Sequence, residues 1–340
     1  MIDLRSDTVT KPCKGMLKAM CEAPLGDDVL RDDPTIFKLE ETIAQLTGKE
    51  DALFVPSGTM ANQLAIWLQS RKATAIAVEQ DAHIYHYEAA APALISGVRL
   101  KPIAGERGIM NIDALEASFP ADDPHFSPIS LICVEDTANR GGGSIYPLAR
   151  LDEIAALAKR KGIPTHLDGA RLFNAQVGSQ IPAKRRVASY DTVSICFSKG
   201  LGAPVGSALC MPKALKRDAI RIRKMLGGGM RQAGTLAAAA LYALENNIVK
   251  LEEDHQKVAR LAEGLEAAGY RFIPPQSNML YFFHPQAHRV AAEAKKKGIF
   301  VLALGPAVIR AVPHLGISFE DIQTAIDVFA QLKPTYTQPS

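Results

Sequence analysis

Short, almost continuous apolar runs alternate with amphipathic stretches between Asp51 and Met211. Such runs are typical of strands whose two faces are both covered by helices. The amphipathic stretches, such as Leu148–Lys161, carry apolar residues at helical spacing. This alternation predicts an α/β fold with a mostly parallel, doubly wound sheet. The predicted strands include Ala52–Val55, Ala75–Glu79, Val98–Pro102, Ser130–Glu135, Ile163–Asp168 and Thr192–Ser198, and a further apolar run, Val205–Met211, follows the last of them.

The pattern changes in the last third of the chain. It is helical from Thr235 to about Gly269, and Asn246-Asn247 marks a predicted boundary between two helices. The remainder predicts strands Tyr270–Ile273, Met279–Phe283 and Ile299–Val312, and helices Ala287–Lys297 and Phe319–Leu332. We therefore expect a large domain over residues 1–247, which includes an N-terminal arm, and a small α+β domain over residues 248–340. The polar tail, residues 335–340, is expected to fray.

Composition excludes several classes of protein. The 340 residues are 47% apolar and 22% charged, as expected for a globular chain. The net charge of +3 comes from scattered basic residues, which argues against nucleic-acid binding. No apolar run approaches the ~20 residues that span a bilayer. The first seven residues contain two aspartates and no apolar core, unlike a secretory signal, and the five cysteines form no Cys-x-x-Cys pair, so we expect a reducing cytoplasm.

Two charged residues lie at the ends of two predicted strands of the same sheet. Lys199 lies in Ser198-Lys199-Gly200-Leu201-Gly202, and Asp168 begins Asp168-Gly169-Ala170-Arg171. A pyridoxal phosphate enzyme needs this combination, because the lysine forms a Schiff base and the aspartate keeps the pyridine nitrogen protonated. Alone, each residue is more simply a surface lysine or a helix cap. Together they favour the cofactor.

A candidate phosphate site follows the first predicted strand. Pro56-Ser57-Gly58-Thr59 opens a helix that runs to about Ser70. Free backbone N–H groups at a helix start bind phosphate, although a plain helix cap by Ser57 or Thr59 is the alternative. The chain has no Gly-x-Gly-x-x-Gly and no Gly-Lys-Ser/Thr motif, which argues against dinucleotides and nucleoside triphosphates.

His83 follows the predicted strand Ala75–Glu79, at the sheet edge where open α/β folds bind ligands. An imidazole there can stack on a pyridine ring or exchange a proton near neutral pH. His83 and His86 could instead begin a metal site, but no third ligand follows at a recognisable spacing, and we predict no metal. A structural histidine is the remaining alternative.

Several motifs, in order from residue 2 to about residue 320, resemble those of low-specificity L-threonine aldolases. The resemblance implies a fold-type I enzyme that uses pyridoxal 5'-phosphate. It also implies that the substrates, L-threonine, L-allo-threonine and other β-hydroxy-α-amino acids, are split into glycine and an aldehyde. The motifs are Ile2–Thr10, Gly26-Asp27-Asp28 with Asp32-Asp33-Pro34-Thr35, Ser57–Asn62, His166–Arg171, Ser198–Gly202 and Gly227–Gln232.

The resemblance also implies roles for single residues. Lys199 matches the Schiff-base lysine, Asp168 the partner of the pyridine nitrogen, and His83 a histidine that stacks on the ring and is implicated in base catalysis. The second candidate for the base is His125, which matches an active-site histidine near the substrate hydroxyl. The other implied positions are Ser57, Gly58 and Thr59 at the phosphate, Arg171 near the ring 3-oxygen, and Ser6, Arg171 and Arg310 at the substrate carboxylate. For Arg310, the solvent face of a sheet is an equally good interpretation of the sequence.

The glycine-rich loop Gly227–Gln232 follows a basic predicted helix, Lys213–Lys224. The resemblance places Lys224 and Arg231 at a subunit interface, where they reach toward the neighbouring subunit's phosphate. A solvated charged face is the alternative. Three consecutive glycines allow close backbone approach, and one chain supplies few cations near the phosphate loop. We therefore expect a homodimer with shared sites, paired into a homotetramer.

The chain departs from the family pattern in two places. Val29-Leu30-Arg31 replaces an aromatic residue and a glycine, and the segment Glu135–Arg140 loses a histidine and gains Asp136 and Arg140. Neither change touches Lys199 or Asp168, so the reaction class is expected to hold while the substrate range stays open. The alternatives are another β-eliminating lyase on this fold, a racemase or aminotransferase, and, from another class, a non-catalytic binding or scaffold protein.

Overall fold

The computed structural model describes residues 1–333, so the predicted fraying of residues 335–340 falls outside the described part of the chain. The strands are β1 (Ile2–Asp3), β2 (Asp51–Val55), β3 (Ala75–Glu79), β4 (Arg99–Ile103), β5 (Gly105–Glu106), β6 (Ile109–Met110), β7 (Ile129–Glu135), β8 (Thr165–Gly169), β9 (Thr192–Cys196), β10 (Ser207–Met211), β11 (Arg271–Ile273), β12 (Leu280–Phe283), β13 (Ile299–Phe300), β14 (Leu302–Ala303) and β15 (Val308–Ala311).

The helices fill the spaces between these strands. The α-helices are α1 (Lys14–Glu22), α2 (Pro34–Thr47), α3 (Gly58–Gln69), α4 (His83–His86), α5 (Ala91–Ser96), α6 (Ile112–Ala117), α7 (Leu148–Lys161), α8 (Leu172–Ser179), α9 (Ala183–Arg186), α10 (Lys216–Met225), α11 (Gly234–Asn246), α12 (Leu251–Ala267), α13 (Ala287–Lys296) and α14 (Phe319–Gln331). Two 3-10 helices cover Asp7–Val9 and Lys213–Leu215.

A seven-stranded sheet organises the first two thirds of the chain, in the order β2-β10-β9-β8-β7-β3-β4. Strand β10 runs antiparallel to both of its neighbours, and the other adjacent pairs are parallel. All residues of β3, β7, β8, β9 and β10 are buried, because helices cover both faces of the sheet. The predicted α/β fold with a mostly parallel sheet is confirmed.

The C-terminal unit is a four-stranded antiparallel sheet in the order β11-β12-β15-β14. Its core includes Tyr270, Phe282 and Phe329, whose rings meet edge to face. The prediction of one strand over Ile299–Val312 was wrong, because the segment forms β13, β14 and β15. A turn at Gly305-Pro306 separates β14 from β15, since proline has no N–H for a strand ladder and Gly305 has a φ of 153°.

The N-terminal arm joins the two units. Strand β1 pairs with β13, and Ile2 and Leu4 are buried in the core of the C-terminal unit. The large domain predicted for residues 1–247 therefore shares its first residues with the other core. Further along the arm, Asp7 forms an ion pair with Arg171, just after β8. The arm thus contacts both cores within a few residues.

The predicted basic helix Lys213–Lys224 is a 3-10 turn followed by α10, and two of its cations face inward. Lys216 binds Glu40 and Asp51, and the buried Arg223 binds Asp28 and the carbonyl oxygen of Phe54. A solvated face is therefore the wrong interpretation for these two residues.

Arg31, from the first departure from the family pattern, binds two of the carboxylates that Lys216 and Arg223 also bind. Arg31 binds Asp28 at 2.6 Å and Glu40 at 2.7 Å. Its neighbour Leu30 is 70% exposed. Arg31 thus binds α2 through Glu40 and shares the Asp28 carboxylate with Arg223. These contacts give Arg31 a structural role.

The second departure introduces a buried ion pair. Asp136, directly after β7, accepts hydrogen bonds from Nε and Nη2 of Arg186, and neither side chain is exposed. Asp136 also accepts the backbone N–H of Tyr146. The pair fixes the backbone next to Glu135, at the carboxyl edge of the sheet.

Cys133, Cys196 and Cys210 lie in buried strands as free thiols. Within residues 1–333, no helix combines the length and the apolar character that a membrane span requires.

The buried pair generates a prediction. Asp136→Asn should reduce the free energy of unfolding by about 3–5 kcal/mol, because Arg186 keeps its charge in a fully buried site. Urea unfolding at constant protein concentration and pH 7 measures the change. Asp152→Asn is the control, because Asp152 binds Arg185 bidentately in an exposed ion pair and its loss should move the midpoint little. Equal midpoints for the two variants would contradict the prediction.

Candidate active site

A cavity of about 460 Å³ opens at the carboxyl edge of the large sheet, where β2, β3, β7, β8 and β9 end. This volume lies in the usual range for small-molecule sites. The cavity brings together residues from both structural units and from the N-terminal arm. The predicted site residues that line it are Ser6, Ser57, Gly58, Thr59, His83, Asp168, Arg171, Lys199 and Arg310.

Asp168 is a buried carboxylate beside this cavity. Its Oδ2 accepts a hydrogen bond from Asn62 Nδ2 at 2.8 Å, and its Oδ1 accepts the backbone N–H of Ala170 at 3.1 Å. Burial alone would raise the pKa of Asp168, but the nearby His83 and Lys199 and the bond from Asn62 lower it overall. The carboxylate therefore stays ionised, as a partner for a protonated ring nitrogen must.

A chain of hydrogen bonds through His166, Thr192 and Gln69 holds the side chain of Asn62. Its Oδ1 lies 3.0 Å from Nε2 of His166, and Nδ1 of His166 lies 2.8 Å from Oγ1 of Thr192. Because Gln69 donates to Thr192, the hydroxyl of Thr192 is free to donate to His166, whose Nε2–H then donates to Asn62. Burial lowers the pKa of His166 to about 4, so the imidazole is neutral near pH 7.

His83 begins α4, and its ring lies close to the Asp168 carboxylate. Its Nδ1 lies 3.1 Å from Oε1 of Glu88, and its backbone N–H donates to Glu135. Burial alone would lower the pKa of His83, but Glu88 and the charges of Asp168 and Glu135 raise it overall. Burial and the adjacent Asp168 raise the pKa of Glu135 to about 7.

The side chains of His83, Glu88 and Asp168 also form a cluster of possible metal ligands, with their ligand atoms within 4.8 Å of one another. The amide nitrogen of Asn62 lies between the two carboxylates, at 2.7 Å from Glu88 and 2.8 Å from Asp168. An amide N–H₂ group is a donor and cannot ligate a cation. The cluster therefore fits a hydrogen-bonded network better than a metal centre.

The start of α3 forms another wall of the cavity. Ser57 caps this helix by accepting the backbone N–H of Met60 at 3.2 Å. At Gly58 an added Cβ would lie 2.6 Å from Sγ of Cys196, so only glycine fits there. The helix start thus presents backbone N–H groups to the cavity, as an anion site requires.

Two guanidinium groups lie on the side of the cavity nearest the N-terminal arm. Arg171 donates Nε and Nη2 to the buried Asp7, at 2.8 and 2.6 Å. Arg310 donates to Asn139 and to the carbonyl oxygen of Arg5, while its Nε is buried without a partner among residues 1–333. Burial and the neighbouring Arg171 lower the pKa of Arg310. An anion between the two guanidinium groups would give Nε of Arg310 a partner and would raise the pKa of Arg310 again.

Three predicted site residues do not line the cavity of their own chain. His125 precedes β7, at the amino end of that strand, and its side chain is 86% exposed beside Asp123. Its expected position near the substrate hydroxyl is therefore not reached within one chain, because the cavity lies at the other end of the strand. Lys224 lies near the end of α10, and Arg231 is exposed and binds Asp27 at 3.0 Å.

The sequence analysis missed several residues that hold the site together. Asn62 and Asp7 lie inside motifs quoted for the resemblance but received no role, and Glu88 and Glu135 were not considered as site residues. A polar residue at a strand end or in an apolar stretch, such as Glu135, is the signal that could have found them. The contacts themselves join residues far apart in sequence, which no local pattern encodes.

The segment after Glu135 forms the rim of the cavity. Asn139 donates its backbone N–H to Glu135 and accepts from Arg310. Arg140, one of the departures, donates to Asp81 and to the hydroxyl of Tyr87. The added charge is therefore paired at the rim.

Comparison with known proteins agrees with this geometry. A family model described as "Beta-eliminating lyase" matches residues 3–287. The chain is 41% identical to "Low specificity L-threonine aldolase" of Escherichia coli K12, over 95% of this chain and 96% of the relative. It is 40% identical to "Alanine racemase TOXG" of Cochliobolus carbonum, over 72% of this chain and 63% of that protein. Its fold is similar to a Leishmania major threonine aldolase structure, with a TM-score of 0.86, 22% identity, and coverage of 98% and 99%.

The network behind Asn62 generates a pH prediction. The pKa of His166 is lower in the folded protein than in the unfolded chain, so its contribution to stability is present above about pH 6.5 and is lost as pH falls toward 4. Across this window the stability of the wild type should fall faster than that of His166→Gln, by up to ~1.4 kcal/mol per pH unit. Urea midpoints at fixed protein concentration measure both curves. Parallel curves would show that His166 is not buried in its neutral form.

Proposed function

The chain belongs to the β-eliminating lyase family, and we propose that it is a threonine aldolase that depends on pyridoxal 5'-phosphate. It cleaves L-threonine, L-allo-threonine and other β-hydroxy-α-amino acids into glycine and an aldehyde. The observation that carries this proposal is the cavity that holds Lys199, Asp168, an anion-binding helix start and two guanidinium groups. The near full-length identity of 41% to a low-specificity L-threonine aldolase supports the same reaction.

The residues of the cavity fit the cofactor. Lys199 would bind its aldehyde carbon, Asp168 its ring nitrogen, His83 a face of the ring, and the start of α3 at Ser57-Gly58-Thr59 its phosphate. The lowered pKa of Asp168 and the absence of a side chain at Gly58 are the features that this arrangement requires. When bound, pyridoxal phosphate supplies an electron-accepting ring for the electron pair that remains on Cα when the Cα–Cβ bond breaks.

The arginines and Ser6 orient the substrate. Arg310 has a buried Nε without a partner among the described residues, and Arg171 is held beside it by Asp7. Both are suited to a carboxylate, which accepts two N–H bonds from one guanidinium. When the substrate carboxylate is fixed, the Cα–Cβ bond stands perpendicular to the plane of the cofactor ring. This orientation favours cleavage of that bond over loss of the α-proton.

His83 accepts the proton of the substrate hydroxyl in this proposal. It lines the cavity, and the carboxylates of Glu88, Asp168 and Glu135 raise its pKa, which makes the imidazole a stronger base. His125 is the other candidate that the sequence offers. Its exposed position at the amino end of β7 favours His83 within a single chain.

A racemase is the second candidate, because the chain is 40% identical to an alanine racemase over 72% of its length. The two reactions differ in which bond to Cα breaks. Production of glycine and acetaldehyde from L-threonine supports the aldolase, whereas loss of chirality from L-alanine without glycine production supports the racemase. Elimination without glycine would indicate another β-eliminating lyase.

Lys199→Ala tests the reaction. Glycine and acetaldehyde production should fall on the order of 10³-fold or more, because the covalent attachment of the cofactor is lost. Absorbance at roughly 410–430 nm, which reports the lysine-bound cofactor, should disappear as well. Lys297→Ala, at an exposed lysine of the C-terminal unit, is the control and should keep both signals. Near-normal turnover by Lys199→Ala would overturn the proposed function.

We also propose a homodimer with shared sites, paired into a homotetramer, in a reducing cytoplasm. Lys224 and Arg231 lie outside the cavity of their own chain. These cations would therefore serve the phosphate of a neighbouring subunit. Three buried free cysteines support a reducing compartment.

Mixing two inactive variants tests the shared site. Arg231→Ala with Lys199→Ala should regain roughly a quarter of wild-type activity, because random pairing yields hybrids half of the time and each hybrid has one complete site. Subunit exchange is confirmed by mass, and activity is measured before and after mixing. A mixture of Lys199→Ala and Asp168→Asn is the control and should stay inactive, because both residues serve their own chain. Confirmed exchange without recovery in the first mixture would exclude the shared site.

A further inference from the structure

Glu88 is a buried carboxylate that the proposed reaction does not use, yet it contacts two residues of the site. Its side chain has no exposed surface. Oε1 lies 3.1 Å from Nδ1 of His83 and accepts from Asn62 Nδ2 at 2.7 Å, while Oε2 accepts from Gln63 Nε2 at 2.6 Å. A charge is tolerated in a dry interior when hydrogen-bond donors surround it, and these three groups supply them.

The backbone around Glu88 is unusual. Ala89 and Ala90 have φ values of 51° and 59°, in the left-handed region that is unfavourable for residues with a Cβ. This turn links α4 to α5, and the N–H of Ala91 donates to the carbonyl oxygen of Glu88 at 2.8 Å. Backbone strain of this kind persists where the surrounding structure requires it, often at functional sites. Here the strained turn directly follows the residue that enters the interior.

The contact with His83 fixes where the imidazole carries its proton. Oε1 of Glu88 is an acceptor, so Nδ1 of His83 must donate to it. In the neutral ring, the proton then lies on Nδ1, and Nε2 keeps its lone pair. His83 lines the cavity while Nδ1 is engaged with the buried Glu88, so Nε2 is the nitrogen left to receive a proton from a ligand.

The same carboxylate is coupled to Asp168. Asn62 donates to Glu88 and to Asp168 through one amide group, so a movement of Glu88 would move the hydrogen bond that Asp168 accepts. The charged and titratable groups around His83 are Glu88, Glu135, Asp168, Lys199 and Tyr87. Among the three carboxylates, Glu88 is the one that contacts the ring nitrogen of His83.

We propose that Glu88 is a positioning residue that holds the proton of neutral His83 on Nδ1, leaves Nε2 to accept the substrate's hydroxyl proton, and aligns Asn62 with Asp168. This inference rests on the proposed role of His83. Glu88 acts through the histidine and the asparagine and does not touch the substrate.

The position of the proton can be measured directly. Nitrogen-15 NMR of the full-length enzyme with its cofactor, with labelled histidine, distinguishes the two ring nitrogens, and loss of a signal in His83→Asn assigns the residue. In the wild type at a pH where His83 is neutral, we expect the proton on Nδ1. Glu88→Gln should shift the population toward Nε2–H. A wild-type ring with its proton on Nε2, or an unchanged ring in the variant, overturns the proposal.

The pH profile of kcat gives a second measurement. Removal of the charge should lower the pKa of His83, so the acidic limb of Glu88→Gln should move to lower pH by about one pH unit. Glu88→Asp keeps the charge and should move the limb less. Glu79→Gln is the matched control, because Glu79 is also a buried carboxylate, on β3, but accepts the N–H of Asp81. An equal movement in Glu79→Gln, or none in Glu88→Gln, overturns the proposal.

Two further outcomes separate this inference from the proposed reaction. If His83→Asn retains turnover, His83 is not the base, while the NMR result on Glu88 still decides the position of the proton. If L-threonine is not cleaved at all, the proposed function fails. The NMR spectrum of His83 in the wild type still decides on which ring nitrogen the proton lies. Thermal melting of each variant identifies any variant that does not fold. In that case the wild-type NMR spectrum decides, because a proton on Nε2 of His83 overturns the proposal.

Discussion

The site depends on one constraint, which is that Asp168 must stay charged although its side chain is buried beside the cavity. Burial alone would raise the pKa of this carboxylate, and the structure opposes that effect with Asn62, the N–H of Ala170 and the nearby cations. His166 donates to Asn62 from behind this contact, and burial keeps its imidazole neutral near pH 7. Asn62 and the residues that support it therefore help to keep the Asp168 carboxylate charged.

A second ion pair connects this electrostatic network with the architecture. Asp7 lies in the N-terminal arm, and its bidentate bond to Arg171 joins that arm to the end of β8. The preceding residues Ile2 and Leu4 belong to the core of the C-terminal unit, which also carries Arg310 on β15. The two guanidinium groups are therefore placed by different cores, and the arm sets their relative position. Substrate orientation in the proposed reaction depends on that tie.

The departures from the family pattern add charges that the structure pairs. Arg31 binds Asp28 and Glu40, Asp136 binds Arg186, and Arg140 binds Asp81. Each pair lies outside the contacts of Lys199 and Asp168, which explains how the substitutions are tolerated. Arg140 also donates to Tyr87, which lines the cavity.

The sequence by itself determined the sheet, the position of Lys199 after β9 and the helix start at Ser57, because buried strands and motifs are local patterns. It also placed Asp168 and Lys199 at one edge, since parallel strands end on the same side. Only the tertiary structure decided that His125 lies at the other end of its strand and that Glu88 turns inward to His83. It also decided that the N-terminal arm packs with the C-terminal core. These outcomes depend on contacts between residues that are distant in the sequence. The energies of such contacts come from burial and charge pairing, which the local pattern of apolar and polar residues does not encode.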